Sequence, residues 1–197
     1  MKFLFDLGGV FFDWDPNHFF INIFKDSNER EHFLTNICND SWNIQQDAGR
    51  SIEEAELELI PKYPEYETQI KMYYSNHRHM IKRTFNQSID VLDSLKKNHY
   101  ECYVLSNWSA ETFKGMIDEF TFLKNFDGLL ISGEDKLIKP DPAIYNLAIN
   151  RFNLNPKETV FIDDKLENVD VAKKLGFNII HLINPKTIAV DIRKYLN

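Results

Sequence analysis

Three short apolar runs each stop at polar residues: Phe3-Leu4-Phe5 at Asp6, Cys102-Tyr103-Val104-Leu105 at Ser106-Asn107, and Val160-Phe161-Ile162 at Asp163-Asp164. Short apolar runs bounded by turn residues read as strands buried on both faces, as in a parallel sheet. Two further strands are expected at Leu129-Leu130-Ile131 and from Asn178 to Ile183. Helical patterns separate them: Ile89 to Lys97, Ala110 to Phe120, Pro142 to Phe152, Val169 to Leu175 closed by Gly176, and Thr187 to Leu196. Strands alternating with helices predict an α/β fold, a doubly wound parallel-sheet (Rossmann-like) core with helices on both faces. In such a sheet the carboxyl ends of the strands share one edge, where open α/β sheets bind ligands. Asp6, Ser106-Asn107 and Asp163-Asp164 are therefore expected to converge.

The stretch after the first strand is different. Asp15-Pro16 reads as a helix N-cap followed by proline at the first helical position. From there to about Phe85 the pattern is helical and contains no strand. Phe19, Phe20, Ile23 and Phe24 make one apolar face, and Phe33, Leu34 and Ile37 the next. Ser51-Ile52-Glu53-Glu54 is a capping-box signature opening a helix through Leu59. Pro64 opens a long one through Met72, Tyr73, Met80 and Ile81. Trp42 to Arg50 reads as a polar break that could face a ligand, with Trp42 and Arg50 as substrate-binding candidates. The expected division is a core of residues 1–15 and 87–197, with an all-helical cap of residues 16–86 inserted after the first strand.

The net charge of −7 argues against a nucleic-acid partner, which needs a basic face. No apolar run approaches the ~20 residues that span a bilayer, so no membrane partner is expected. The start of the sequence shows no charged-then-apolar leader, and Cys38 and Cys102 form no metal-type or redox-type spacing. A cytoplasmic protein with two buried thiols is expected. Whether it is a monomer or a homodimer stays open.

A lysine completes the constellation. Ile138-Lys139-Pro140-Asp141-Pro142 places Lys139 just before a helix start, between the second and third polar strand ends. A carboxylate, a hydroxyl, a lysine and an acidic pair suit phosphoryl transfer. The carboxylate attacks phosphorus, carboxylates bind a divalent cation, and hydroxyl, amides and lysine neutralise the transferring group. Hard oxygen ligands and a phosphate substrate favour Mg2+.

Four stretches in order carry a family resemblance: Phe5-Asp6-Leu7-Gly8-Gly9-Val10 through Asp13, Leu105-Ser106-Asn107, Lys139-Pro140-Asp141-Pro142 and Phe161-Ile162-Asp163-Asp164. The chain resembles a haloacid dehalogenase superfamily hydrolase of the helical-cap branch, over essentially its whole length. The resemblance implies Asp6 as the nucleophile that becomes an aspartyl phosphate, Ser106 and the backbone around Asn107 as holders of the phosphoryl oxygens, and Lys139 as a bridge between nucleophile and phosphate. It implies Asp6, the Gly8 carbonyl, Asp164 and, through water, Asp163 as Mg2+ ligands. The expected activity is a magnesium-dependent phosphatase acting on small phosphorylated metabolites, sugar phosphates among them.

One position departs from that pattern. Superfamily phosphatases carry a second Asp, the general acid and base, two residues after the nucleophile; here Gly8 stands there. The alternatives are a metal-free 2-haloacid dehalogenase using Asp6 on carbon, or a catalytically weak, ligand-binding relative. The acidic pair Asp163-Asp164 speaks against the dehalogenase. Without a general acid, substrates whose leaving group departs unprotonated are favoured, unless Asp13 or a cap residue takes that role. Asp13 itself reads as a structural hydrogen-bonding residue near the cap hinge.

Overall fold

The computed structural model describes residues 1–196. Its centre is a five-stranded parallel sheet built from β1 (Lys2–Phe5), β4 (Glu101–Ser106), β5 (Gly128–Ile131), β6 (Thr159–Asp163) and β7 (Asn178–His181), in the order β5-β4-β1-β6-β7. Strand β1 sits in the middle, with Phe5 paired to Val104 on one side and to Ile162 on the other. Phe3, Leu4 and Phe5 are wholly buried. Successive side chains on a strand point to opposite faces, and each core follows. Phe3, Phe5, Val104 and Ile162 pack on one face with the helix Asn86–Lys97. Leu4, Tyr103, Leu105 and Phe161 pack on the other with Ile144, Tyr145 and Ala148 of the helix Pro142–Arg151 and Ala172 of the helix Leu166–Lys174. Central apolar runs thus need two covered faces, and the alternating helices supply them.

The chain leaves β1 towards β4 and β5, then returns to the other side of β1 for β6 and β7. The strand order therefore reverses between β1 and β6, and a crevice forms beyond the carboxyl ends there. Gly9 shapes the turn after β1. Its φ of +66° is a conformation that side-chain-bearing residues seldom adopt. The turn closes with Phe11 N–H and Phe12 N–H both donating to the Leu7 carbonyl, at 2.8 and 3.0 Å.

The helical stretch is bounded by a ribbon that was not expected. β2 (Phe12–Trp14) pairs antiparallel with β3 (Ile81–Thr84), Phe12 opposite Thr84 and Asp13 opposite Arg83. The helix expected from Pro64 to Ile81 is correspondingly broken into a single turn at Pro64–Tyr66, a helix Glu67–Ser75, a turn at His77–Met80 and then β3. Ile81 to Thr84 extends because it has β2 as a partner, which local propensity cannot register. Between β2 and β3, Phe20, Phe33, Ile37, Trp42, Ala55, Leu59, Ile70, Tyr73 and Met80 form a separate apolar core. The capping box at Ser51 and Glu54 is formed in both directions.

The stretch from Trp42 to Arg50 is not a break. Residues Asp40–Asp47 form a helix whose N-cap, Asn39, accepts a hydrogen bond from Trp42 N–H at 2.9 Å. Two further helices differ from expectation. The helix expected from Ala110 to Phe120 splits at Gly115, with φ +94°, into Ala110–Phe113 and Met116–Glu119. The terminal helix shrinks to Ile188–Asp191 between short turns at Pro185–Thr187 and Arg193–Tyr195. Cys38 and Cys102 are buried free thiols. Among the described residues no helix is long and apolar enough to cross a membrane.

Candidate active site

The carboxyl ends of β1, β4 and β6 bring Asp6, Ser106 and Asp163 together, and the loop before the helix Pro142–Arg151 adds Lys139. Lys139 Nζ lies 2.6 Å from Asp163 Oδ2 and 3.0 Å from Asp6 Oδ1. Ser106 Oγ donates to the same Asp6 oxygen at 2.7 Å. All four side chains are buried. An ammonium in such a place persists only against carboxylates. Burial alone would depress the Lys139 pKa, but Asp163 and Asp6 hold it above the usual lysine range. Burial pushes the Asp6 carboxyl up and Asp163 adds to this, while Lys139 and Ser106 oppose it.

The lysine is held by more than charge. Asn107 Oδ1 accepts from Lys139 N–H at 2.8 Å, and Asn107 Nδ2 donates to the Lys139 carbonyl at 2.9 Å. Asp141, directly before Pro142, caps the next helix by accepting from Ala143 N–H at 2.8 Å. Asn107, expected to touch the substrate, lines the cavity with its side chain engaged on the lysine backbone.

Asp163 and Asp164 divide in role. Asp163 is fully buried and accepts from Lys139, from Lys165 N–H at 2.8 Å, and from Asn168 Nδ2 at 3.0 Å. Asp164 is half-buried and lines the cavity, and its carboxylate has no hydrogen-bond or ion-pair partner among the described residues. Burial pushes its pKa up to about 6, with Asp6 and Asp163 adding to the shift. Asp6, Asp163 and Asp164 each present an oxygen within 4.8 Å of the others. Only Lys139 is ion-paired within this cluster of three carboxylates, with Lys165 acting on Asp164 from farther off, and Asp6 and Asp164 line the cavity. A small divalent cation with oxygen ligands fits that donor set.

The cavity has a volume of about 370 Å³ and lies between the sheet edge and the helical stretch. Asp6, Gly8, Asn107, Lys139, Asp164 and Lys165 line its core side. Phe12, Trp14, Ile44, Phe85 and Trp108 give it apolar walls, and Asp13, Asp40, Asp47 and His77 add polar groups. Burial lowers the His77 pKa to about 4, so its imidazole is neutral at ordinary pH.

Trp42 and Arg50 do not line this cavity. Trp42 is buried in the helical core against Tyr73 and Tyr74. Arg50 is tied to Gln46 Oε1 at 2.7 Å and to Glu58 Oε2 at 2.5 Å. Both were assigned to a polar break; on the helix Trp42 and Gln46 turn inward together, and Arg50, beyond its end, donates back to Gln46. Asp47 lies in the Trp42–Arg50 stretch expected to face a ligand and does line the cavity; the sequence reading missed His77 and Asn168. An Asn five residues after Asp163, in the first turn of a helix, is the pattern that could have shown Asn168.

Comparison with known proteins agrees with this geometry. The sequence model for haloacid dehalogenase-like hydrolases matches residues 3–182. The chain is 26% identical to a sesquiterpene phosphatase of Aspergillus oryzae, over 97% of this chain and 94% of that protein. It is 29% identical to an (S)-2-haloacid dehalogenase of Burkholderia cepacia, over 50% of this chain and 42% of that one. Among solved structures, an HAD family enzyme from Bacteroides thetaiotaomicron superposes with a TM-score of 0.70 at 26% identity, covering 91% of each chain. A structure of that enzyme in complex with magnesium and inorganic phosphate superposes with a TM-score of 0.69, covering 91% of this chain and 92% of that one. With four motifs converging on one pocket and a family match over most of its length, this chain belongs to the haloacid dehalogenase-like hydrolases.

Proposed function

We propose that this hydrolase is a magnesium-dependent phosphatase of small phosphorylated metabolites, working through a covalent phosphoryl group on Asp6. The observation that carries the reading is the Asp164 carboxylate, which lines the cavity with Asp6 and has no direct ion pair or hydrogen bond among the described residues. A metal-free dehalogenase has no use for that carboxylate. The magnesium complexes and the phosphatase among the relatives support the same choice.

Asp6, Asp164 and the Gly8 carbonyl would hold Mg2+, with Asp163 behind them. When bound, the ion neutralises charge on the phosphoryl oxygens. The rest is done by the chain. Lys139 and Ser106 fix Asp6 Oδ1, leaving Asp6 Oδ2 as the attacking oxygen, and the Lys139 ammonium offers a positive charge to the transferring group. The helical stretch acts as a cap that excludes water. Phe12, Trp14, Ile44, Phe85 and Trp108 offer apolar and aromatic surface to the leaving group, which suits an isoprenoid chain or the flat face of a sugar ring.

The test is a panel of phosphomonoesters, isoprenoid phosphates and sugar phosphates included, assayed for phosphate release with and without Mg2+. It runs beside halide release from a 2-haloacid. Phosphate release that requires Mg2+ is expected. Halide release without metal, and no phosphate release, would replace this reading with the dehalogenase.

A further inference from the structure

The proposed reaction needs a proton for the departing oxygen and a base for the attacking water, and Gly8 can provide neither. A Cβ built on Gly8 would meet nothing within 4 Å, so the space beside Asp6 is open. Besides Asp6 and Asp164, three carboxylates line the cavity: Asp13, Asp40 and Asp47. Asp13 is tied between His18 Nε2 and Arg83 Nε, at 3.2 and 3.0 Å. Asp40 is exposed in the first turn of its helix. Asp47, at the other end of that helix, is placed quite differently.

The core grips Asp47 by its backbone. Its carbonyl accepts from Ser132 Oγ at 2.6 Å, and Ser132 Oγ in turn accepts from Trp108 N–H at 2.9 Å. Its carboxylate accepts from Asn43 Nδ2 at 3.4 Å, and the nearby backbone N–H of Ser109 favours its charged form. Trp108 and Ser109 directly follow Ser106-Asn107, the loop at the phosphoryl site. Two residues on, Gly49 passes so close to the core that a Cβ would lie 3.1 Å from the Gly133 carbonyl oxygen. A carboxylate of the helical insert is thereby fixed to the loop that faces Asp6.

We propose that Asp47 is the general acid and base of this site, a role moved from the core strand to the insert. The proposal rests on the phosphatase reading above. In the first step Asp6 Oδ2 bonds to phosphorus and the bond from phosphorus to the ester oxygen breaks. The electron pair stays on that oxygen, which takes the proton of the Asp47 carboxyl. In the second step the Asp47 carboxylate takes a proton from water as the water oxygen bonds to phosphorus. The bond to Asp6 breaks, its electron pair returns to the carboxylate, and phosphate leaves.

Burial pushes the Asp47 carboxyl up to about 7, with Asp6 adding and Lys165 and the Ser109 N–H opposing. General acids work best with a pKa near the working pH. The titratable groups sharing its cavity are Asp6, Lys139, Asp164 and Lys165 from the core, Asp13 from β2, Asp40 from its own helix and the neutral His77.

Asp47→Asn keeps the shape of the side chain. The experiment measures single-turnover phosphoryl transfer with Mg2+ across aryl phosphates of rising leaving-group pKa and one alkyl phosphate. The wild type is expected to show a shallow dependence. Asp47→Asn is expected to show a steep one, with the alkyl phosphate slowed about 10²- to 10⁴-fold and the best aryl phosphate changed only a few-fold. The phosphorylated enzyme should accumulate in the variant, and the limb of the pH profile near 7 should vanish. Asp47→Glu should recover part of the alkyl rate. A variant with the wild-type slope and pH profile would overturn the proposal, as would one that has lost the magnesium-dependent rise in melting temperature, since its defect would be structural. Asp6→Asn separates the two readings. Turnover that survives it removes the phosphatase reading and this proposal together, whereas failure confined to the Asp47 series removes this proposal alone.

Discussion

Gly9 and Asp164 face each other so closely that a methyl group on residue 9 would lie 2.9 Å from Asp164 Cβ and overlap its carboxyl. The first turn and the fourth motif are thus fitted to each other. The φ of +66° at Gly9 adds a second reason for glycine there. Gly9→Ala should lower stability by about 1–3 kcal/mol through backbone strain. It should also displace the Asp164 carboxylate and weaken Mg2+ binding by at least about tenfold, since a metal ligand would be moved. Calorimetric titration of the variant decides this; wild-type affinity would show that Asp164 is not a ligand.

Lys139 stands between Asp6 and Asp163 with all three buried. Removing one partner of such a set leaves uncompensated charge and costs about 3–5 kcal/mol. Lys139→Ala should therefore unfold at much lower denaturant concentration than wild type. Mg2+ should restore part of the difference, because a cation relieves the same repulsion. Asp6→Asn should be far milder in stability while abolishing turnover. Denaturant titrations of both variants, with and without Mg2+, check the contrast.

The metal-free protein should show an unusual pH dependence. Asp164 and Asp47 have folded-state values near 6 and 7, above the usual 3.8. The folded state then binds more protons than the unfolded chain between about pH 4 and 7, so these groups lose stability as pH rises through that window. His77, lowered to about 4, works in the opposite direction between its folded value and 6.5. The carboxylate contribution is therefore read as a difference. Wild type minus Asp164→Asn should decline from pH 4 to 6, and saturating Mg2+ should reverse the decline. A flat difference in melting temperature across that range would contradict the placement of Asp164.

Substrate choice should follow the cavity walls and not Arg50. Arg50 is tied to Gln46 and Glu58, away from the cavity, and Ile44 lines it. Arg50→Ala should lower the melting temperature and leave the ranking of substrates unchanged. Ile44→Ala should reorder that ranking with little effect on Mg2+ affinity. Relative kcat/KM values over the phosphomonoester panel measure both.

The core was legible because its signals are local. Phe3-Leu4-Phe5 and Val160-Phe161-Ile162 are apolar in an unbroken run; the first ends at Asp6, which lines the crevice, and the second at the Asp163-Asp164 pair, of which Asp164 lines it. Asp6, Ser106, Asp163 and Asp164 could be named for that reason, and Lys139 from its place just before a helix start. The insert was legible only as helical material. Ile81-Lys82-Arg83-Thr84 extends because Phe12–Trp14 lies beside it, and no pattern within four residues announces a partner so far away in sequence. Trp42 and Arg50 were misplaced by the same kind of failure. Which side of Asp40–Asp47 meets the cavity depends on where Ser132 takes hold of Asp47.

The central position of β1 bears on how the chain reaches this structure. Lys2 pairs with Glu101 on one side and with Thr159 on the other, so its neighbours are made long after it. Closing such distant pairings is slow, since chain entropy is lost before contacts reward it. During synthesis Phe3-Leu4-Phe5 therefore waits uncovered while the helices between β2 and β3, whose contacts are local, can collapse first. An aggregation-prone window opens until β6 arrives. Ribosome-bound chains halted before residue 159 should need a chaperone to stay soluble, and chains carried past it should not.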